Sequence, residues 1–493
     1  MTRKWLAFAA TALTLLSAVT AAEAEPAPPR LEWTACGKGA QCATLRVPVD
    51  WRKQKGPATT IDVVRIPARD PKHRIGTVIA NLGSGNSTFA AIDPPPYIEP
   101  TLRHLSERLD VVVFDPRGLG RTPGSTKFDC GDNPGPYNGL ILAEDEAGWR
   151  KQAELNAKYA ATCREQLGEL FNGLNTWQAT NDVEALRVAL GEKRLRFFGN
   201  SYGTVYGQTY AQLFPDRVER MYLDGVADHT QARLEDWLRN YAVAQERQFE
   251  HFRDWCAQRK GCFLHGQDAV AVWDELVARA GRAPLPAPSA GAGRTVDLRH
   301  LFAGALVGST PPKFPVLAKA MAMARDGDAG MFLTDLTYGE LNASPGKNVL
   351  SMTQCNDFFP KPPGYQELLA IEKRLKQVAP RFGWIEGRFE VGRCAGISGG
   401  AAFPPQPLKI DKLAPVLVGI GELDQNTNTI GAAHVAGQLP SSQTLWHGDG
   451  HAAYLLGNTC LREHVGHYLT DGVLPPRGTR CAAELTTKIP DRP

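Results

Sequence analysis

Short apolar runs and amphipathic stretches take turns along the chain. Cys42–Val49 and Thr60–Ile66 are β-branched runs separated by a Lys/Gly/Pro turn, the pattern of an antiparallel hairpin. Gly76–Ala80 predicts a third strand. Leu109–Phe114 (LDVVVF) is the near-continuous apolar run of a strand buried on both faces. Between them Pro100–Arg108 reads as a helix. Glu144–Leu167 and Trp177–Leu190 carry helical spacing; in the second, Val183, Leu186, Ala189 and Leu190 form the apolar stripe and Arg187 falls on the polar side. Leu195–Phe198 predicts another buried strand, Thr204–Phe214 a helix stopped by Pro215, and Val218–Leu223 a strand ending in Asp224-Gly225. Strands alternating with helices in this way predict a mostly parallel, doubly wound α/β sheet.

The alternation stops near His229. Up to about Pro404 the chain offers helical stretches, Leu234–Cys256, Asp268–Ala280, Pro315–Asp326 and Tyr365–Val378, with Pro/Ala/Gly-rich breaks such as Pro284–Gly293. Such a block is expected to be an inserted helical cap or lid over residues 229–404. Alternation returns with the buried strand Ala414–Gly421, which ends in Glu422-Leu423-Asp424. A helix over Thr429–Ala436 follows, ended by Gly437, then the strand Gln443–Trp446, the loop His447-Gly-Asp-Gly-His451 and a last helix over Ala452–Leu469. The expected organisation is therefore a core in two parts, 25–228 and 405–493, interrupted by the cap.

The N-terminus changes the picture of where the protein works. Arg3 and Lys4 precede an apolar stretch from Trp5 to Ala21 and then Ala22-Glu23-Ala24. This is the layout of a secretory signal peptide over residues 1–24, with cleavage expected after Ala24, so the mature protein is expected in the periplasm or medium and off the membrane. The cysteines agree with an oxidising compartment. There are ten: Cys36, Cys42, Cys130, Cys163, Cys256, Cys262, Cys355, Cys394, Cys460 and Cys481. Ten cysteines allow about 945 complete pairings, so connectivity does not follow from counting, but joining sequence neighbours gives 36–42, 130–163, 256–262, 355–394 and 460–481. No CxxC or clustered Cys/His spacing suggests a metal. A formal charge of +3, with no Lys/Arg run, argues against a nucleic-acid partner.

The candidate chemistry sits at predicted strand ends. Gly199-Asn200-Ser201-Tyr202-Gly203 joins a buried strand to a helix, the context of a nucleophile elbow. The sharp turn strains the serine backbone, the small glycines let strand and helix approach, and the Tyr202 amide lies at a helix N-terminus where an oxyanion is favoured. A serine nucleophile needs a base and a carboxylate to orient it. In this fold the order is serine, acid, histidine, and Ser201, Asp424 and His451 meet it at three strand ends. Glu422 competes with Asp424, and His447 with His451, but Glu422 lies closer to the sheet and His447 where the strand should still be running. A second oxyanion amide is expected from the glycine-rich loop Asn81-Leu82-Gly83-Ser84-Gly85, with Ser84 as the donor.

Asp115-Pro-Arg-Gly-Leu-Gly-Arg121, Gly199-Asn-Ser-Tyr-Gly-Thr204, Phe214-Pro-Asp-Arg-Val-Glu-Arg-Met-Tyr-Leu-Asp224-Gly-Val226 and Gly448-Asp-Gly-His451 resemble the secreted tripeptidyl aminopeptidases and proline iminopeptidase-related α/β-hydrolases. The resemblance covers nearly the whole mature chain. It implies an α/β-hydrolase core with a cap, and an exported serine exopeptidase that releases short peptides from a free N-terminus, with no cofactor or metal. Two departures stand out. The family's oxyanion loop usually reads Asn-Pro-Gly-Gly-Pro-Gly, against Asn81-Leu-Gly-Ser-Gly-Asn86 here, and Asp424 is followed by Gln-Asn-Thr-Asn in place of a Pro-containing segment. An aminopeptidase must also hold a cationic amine; Asp357 is the first candidate, with Asp236 and Glu235 behind it. The expected partner is a peptide or small ester or amide substrate. The rivals are an exported carboxylesterase or acylase with the same triad, and a non-catalytic binding protein on the same scaffold.

Overall fold

The near-continuous apolar runs become the middle of one sheet. The computed structural model describes residues 31–83, 87–96, 98–119, 128, 130, 143–337, 347–397 and 403–484; the leader region 1–24 and Ser84 lie outside them. In chain order the strands are β1 (Thr34–Ala35), β2 (Gln41–Pro48), β3 (Ala58–Ile66), β4 (Gly76–Asn81), β5 (Leu109–Phe114), β6 (Leu195–Asn200), β7 (Val218–Asp224), the short β8 (Leu285–Pro286) and β9 (Thr295–Val296), β10 (Val416–Gly421), β11 (Gln443–His447) and β12 (Arg480–Cys481). Among the described residues all but β8 and β9 join one sheet, in the order β1-β2-β3-β5-β4-β6-β7-β10-β11-β12. β1, β2 and β3 pair antiparallel and β3 meets β5 antiparallel, while every pair from β5 to β12 is parallel. β4, β5 and β10 are buried along their whole length, as strands covered on both faces must be.

The first helices are α1 (Ser87–Ile92), α2 (Glu99–Leu105), α3 (Glu146–Leu167), α4 (Thr176–Ala189) and α5 (Gly203–Leu213). The segment between β7 and β10 holds α6 (Leu234–Gln258), α7 (Ala269–Arg282), α8 (Leu298–Gly308), α9 (Phe314–Arg325), α10 (Met331–Thr334), α11 (Lys347–Phe358) and α12 (Tyr365–Leu375). The last three are α13 (Thr429–Gln438), α14 (Ala453–Leu456) and α15 (Thr459–Asp471). On one face of the sheet Ala179, Val183 and Leu186 of α4, Tyr206 and Tyr210 of α5 and Val435 of α13 pack on alternate strand residues. On the other, Leu102 and Leu105 of α2, Tyr454 of α14 and Leu461 and Val465 of α15 do the same. The helical segment builds a separate core from Phe249 to Ile385 around Trp273 and Phe382.

Four details differ from the pattern reading. The final helix is two, α14 and α15, because Gly457 takes φ +100° and Asn458 caps the next helix through its side chain. α8 and α11 are helices that the periodicity does not mark, and the break over 284–293 contains β8, paired antiparallel with β9. Arg187 is buried, not solvated. Its guanidinium meets the Glu184 carboxylate at 2.8 and 2.6 Å and donates to the Glu192 and Lys193 carbonyls beyond the helix end, so the charge is satisfied inside.

Five disulfides join Cys36 to Cys42, Cys130 to Cys163, Cys256 to Cys262, Cys355 to Cys394 and Cys460 to Cys481. His464 lies close to the last pair, but both sulfurs are spent on the bridge and leave no thiolate for a metal. No described helix is long and apolar enough to cross a membrane.

Candidate active site

Ser201 occupies the turn between β6 and α5 at φ +54°, the left-handed region that a non-glycine residue enters only when its surroundings impose it. The flanking glycines show what imposes it. A Cβ on Gly199 would stand 2.6 Å from the Gly203 carbonyl oxygen, and one on Gly203 would stand 2.5 Å from the Asn81 carbonyl oxygen. Strand, turn and helix are therefore closer than any side chain would permit. The Ser201 N–H donates to the Asp224 carbonyl at 2.9 Å, and the Ser201 carbonyl accepts from the Thr204 hydroxyl at 2.6 Å. The serine is held from both sides.

The loop after β4 faces this turn. Asn81 donates its side-chain N–H to the Phe114 carbonyl at 3.2 Å and accepts from the Gly83 N–H at 3.2 Å, while Asn200 donates to the Leu82 carbonyl at 3.0 Å. Gly83, at φ +120°, comes so near that a Cβ there would lie 3.3 Å from Ser201 Cβ. The Tyr202 backbone stands at the N-cap of α5, whose first N–H groups have no partner within the helix. The loop after β4 and the start of α5 thus meet at the Ser201 turn; Ser84, expected as an oxyanion donor, lies outside the described residues.

Asp424 follows β10 and is buried, and His451 follows β11 with its side chain about one-fifth exposed, at 19%. His451 Nδ1 lies 3.0 Å from Asp424 Oδ2. An ionised carboxylate only accepts, so Nδ1 carries the proton and Nε2 is left as the basic nitrogen. The ring packs on the chain beside Ser201's anchor: a Cβ on Gly225 would stand 2.9 Å from the His451 ring, and Gly225 follows the residue that accepts the Ser201 N–H. Thr427, which the sequence reading passes over, completes the set. Its N–H and hydroxyl donate to Asp424 at 2.9 and 2.8 Å, and its oxygen is 3.1 Å from His451 Nδ1. The Asp-x-x-Thr spacing, which lets a side chain turn back on the acid, is the signal that could have found it.

These contacts set the charges. Burial by itself pushes the Asp424 carboxyl up, but the facing imidazole and the Thr427 donors outweigh it and hold the group below its ordinary value. Burial disfavours the His451 imidazolium, yet the Asp424 charge and hydrogen bond, with Asp224 adding to them, raise it above 6.5. The rival residues stand elsewhere. Glu422 is exposed and pairs with Arg480, and His447 is the last residue of β11, buried at 2%.

A family model described as "alpha/beta hydrolase fold" matches residues 82–280, the part that carries Ser201, and one described as "TAP-like protein" matches residues 384–481, the part that carries Asp424 and His451. The chain has the α/β-hydrolase fold. It is similar over nearly its whole length to serine protease Hip1 of Mycobacterium tuberculosis, 29% identical with 97% of each chain covered. A tripeptidyl aminopeptidase of Streptomyces lividans is 27% identical, covering 96% of this chain and 90% of its own. Carboxylesterase B of Mycobacterium tuberculosis is also 27% identical, covering 92% and 90%. The hydrolase is thus an enzyme of the serine hydrolase and peptidase group.

The carboxylates expected to meet a substrate amine need revision. Asp357 of this hydrolase is fully buried, at 0% exposure. It accepts from the Thr176 N–H at 2.9 Å, the Thr176 hydroxyl at 2.6 Å and the Tyr202 hydroxyl at 2.5 Å, and burial raises it to about 7. It ties α11 to the start of α4 and to the elbow, with no oxygen left open to a ligand. Glu235 is engaged with Arg374 at 2.7 and 2.8 Å, and Asp236 with Arg233 at 3.4 Å. A different acid pair lies in the segment between β7 and β10. Glu386 precedes the π-helical segment Gly387–Val391 and Glu390 lies within it, and Gln245 of α6 donates to Glu386 at 2.8 Å. Burial and the neighbouring Glu390 push Glu386 up to about 8, while Glu390 pairs with Arg393 at 2.5 Å. Tyr241, one turn before Gln245, sits in the field of both this pair and Asp424. The Glu-x-x-x-Glu spacing of the pair is visible in the sequence, but its burial against Gln245 of α6 is not.

Proposed function

We propose that the chain is an exported serine aminopeptidase that releases short peptides, of the tripeptidyl type, from free N-termini. The observation that carries this reading is the Asp424–His451 pair at 3.0 Å, stacked on Gly225 next to the anchor of a strained Ser201. Its support on the substrate side is the full-length similarity to proteins named as a serine protease and a tripeptidyl aminopeptidase. Ser201 Oγ attacks the scissile carbonyl as its proton passes to His451 Nε2, and Asp424 keeps the imidazole in the required tautomer. The backbone N–H groups of Tyr202 and Ser84 receive the oxyanion. His451 then returns the proton to the leaving amine, the C–N bond breaks, and an acyl-enzyme remains on Ser201. Water, deprotonated by His451, attacks that ester and restores the serine. Glu386, with Glu390 behind it, takes the role of amine anchor that Asp357 cannot fill. Its burial makes it a carboxyl that ionises when a cationic amine arrives.

Residues 1–24 act as a signal peptide cleaved after Ala24, which places the ten cysteines in an oxidising compartment. N-terminal sequencing of protein from the medium or periplasm should begin at Glu25; an intact Met1 in the membrane fraction would refute export in this form.

The full-length similarity to a protein named carboxylesterase B favours one second reading, an esterase with the same triad. A panel of tripeptidyl amide reporters with free and blocked amines, alongside aryl esters, separates the two. The aminopeptidase reading expects cleavage of free-amine amides with the tripeptide as the released unit, and a higher KM for them in Glu386→Gln. Turnover of esters alone, indifferent to the amine, would replace it with the esterase.

A further inference from the structure

Gly419 and Gly421 alternate with Ile420 along β10 and so lie on one face of the sheet. A Cβ on Gly419 would stand 2.5 Å from the Tyr222 hydroxyl and 2.7 Å from Asp224 Oδ1, and one on Gly421 would stand 2.9 Å from His447 Cε1. The bare stretch of β10 lets side chains from the strands on either side meet across it. His447 Nε2, on β11, comes within 3.9 Å of Asp224 Oδ1, on β7, and both side chains are buried. A second carboxylate–imidazole pair therefore lies beneath the first.

Asp224 touches the serine turn, its own strand and the helix after the histidine loop. Its backbone carbonyl accepts the Ser201 N–H at 2.9 Å. Its Oδ2 accepts the backbone N–H of Tyr454 at 3.3 Å, in the helix that begins two residues after His451, and its Oδ1 accepts the Tyr222 hydroxyl at 3.1 Å. The next residue, Gly225, bears on the His451 ring. Holding the serine N–H takes only a backbone carbonyl, which any residue supplies. A fully buried carboxylate is costly, so the side chain has a task of its own.

We propose that Asp224 is a positioning residue for His451: it locks the nucleophile turn to the histidine loop and sets a second negative charge beside the imidazole, stabilising the imidazolium formed when Ser201 gives up its proton. The inference rests on His451 being the base. The titratable groups facing Asp224 are Tyr222 on its own strand, His447 on β11, Tyr454 on α14, and His451 and Asp424 from the loops after β11 and β10. Those facing His451 are Asp424 and Asp224, and the Thr427 hydroxyl adds a neutral contact.

The test is the pH dependence of kcat/KM for the full mature enzyme, measured on whichever reporter the wild type turns over. A neighbouring negative charge raises a histidine pKa, so removing it lowers that pKa. Asp224→Asn, nearly isosteric, should move the acid limb to lower pH by about half a unit or more and lower kcat with little change in KM. Burial already raises Asp224 and the Tyr222 hydroxyl counters it, so Tyr222→Phe should leave the carboxyl less ionised and shift the limb the same way by less. A folded Asp224→Asn enzyme with the wild-type limb and kcat overturns the proposal. If Asp224→Asn fails to fold, an unshifted limb in Tyr222→Phe overturns it instead, and a shifted one supports it. Failure of the underlying reading shows differently: His451→Ala would then keep most of its turnover, whereas with His451 as the base it is nearly inactive while Asp224→Asn and Tyr222→Phe remain measurable.

Discussion

Three side chains are asked to act as one unit, and their substitution should show it. Ser201→Ala deletes a single oxygen at the elbow and should abolish turnover without unfolding the protein; His451→Ala should cost nearly as much. Asp424→Asn leaves the packing but allows the wrong tautomer, and a fall on the order of 10⁴-fold in kcat is expected by analogy with the well-studied triad. The Ser201→Ala/His451→Ala double variant should be little worse than either single one. Glu422→Gln, at the exposed pair with Arg480, serves as the control and should retain most activity. Thr427→Val removes the hydroxyl shared by Asp424 and His451 while keeping the side-chain shape. Losing a hydrogen bond to a charged group should lower kcat by roughly ten- to a hundredfold. Because His451 is raised above 6.5, activity should climb with pH through an apparent pKa above that value, as the ring loses its proton and becomes a base. Full activity persisting well below pH 6 would count against His451.

At the scale of elements, the sheet and the three strand ends were readable because period and punctuation act locally. Leu109–Phe114 is a strand by its apolar run, interrupted only at Asp110, and its observed bounds coincide with that run. The elbow was readable because Gly-x-Ser-x-Gly between an apolar run and a helix has few other physical uses. Where the reading failed, the deciding force was tertiary. Arg187 looked solvated on a helical wheel, yet the chain after α4 turns back its carbonyls to receive it. Asp357 looked like a free acid near the cap, and only the packing of α11 on α4 shows its oxygens already taken. The elbow also yields a test at this scale. An alanine at Gly203 would press a methyl to 2.5 Å from a backbone oxygen of β4, a contact that no rotamer change relieves. Gly→Ala usually favours a helix, by up to about 1 kcal/mol. Here overpacking should reverse the sign and destabilise by about 1–3 kcal/mol. Phosphonate labelling of Ser201 should slow in parallel, and an unchanged melting temperature with unchanged labelling would show that the elbow is looser than described.

On the scale of the molecule, three clusters must be held in one arrangement for the site to exist. The two sheet faces form two of them, and the helical segment from Phe249 to Ile385 forms the third. A fourth cluster joins the parts: Tyr159 and Leu167 of α3, Trp237 and Tyr241 of α6, Met352 of α11 and Val391 pack together there. Two disulfides run through it, Cys130–Cys163 and Cys355–Cys394. Their buried sulfurs lie where the segment carrying Glu386 and Glu390 meets the helices around the triad. Cys355–Cys394 closes a span of 39 residues and Cys36–Cys42 one of 6. On the chain-entropy account the first should stabilise the fold by about 4 kcal/mol and the second by about 2 kcal/mol. Peptide mapping without reductant should first return all five bridges. Paired Cys→Ala variants, followed by chemical denaturation, then rank them. Loss of Cys355–Cys394 should cost more stability and should also raise KM for free-amine substrates, because it loosens the attachment of the Glu386 segment. Loss of Cys36–Cys42, at the sheet edge, should leave KM alone. The reverse order of stabilities, or equal KM values in the two variants, would show that the bridges do not hold the cap side of the site in place.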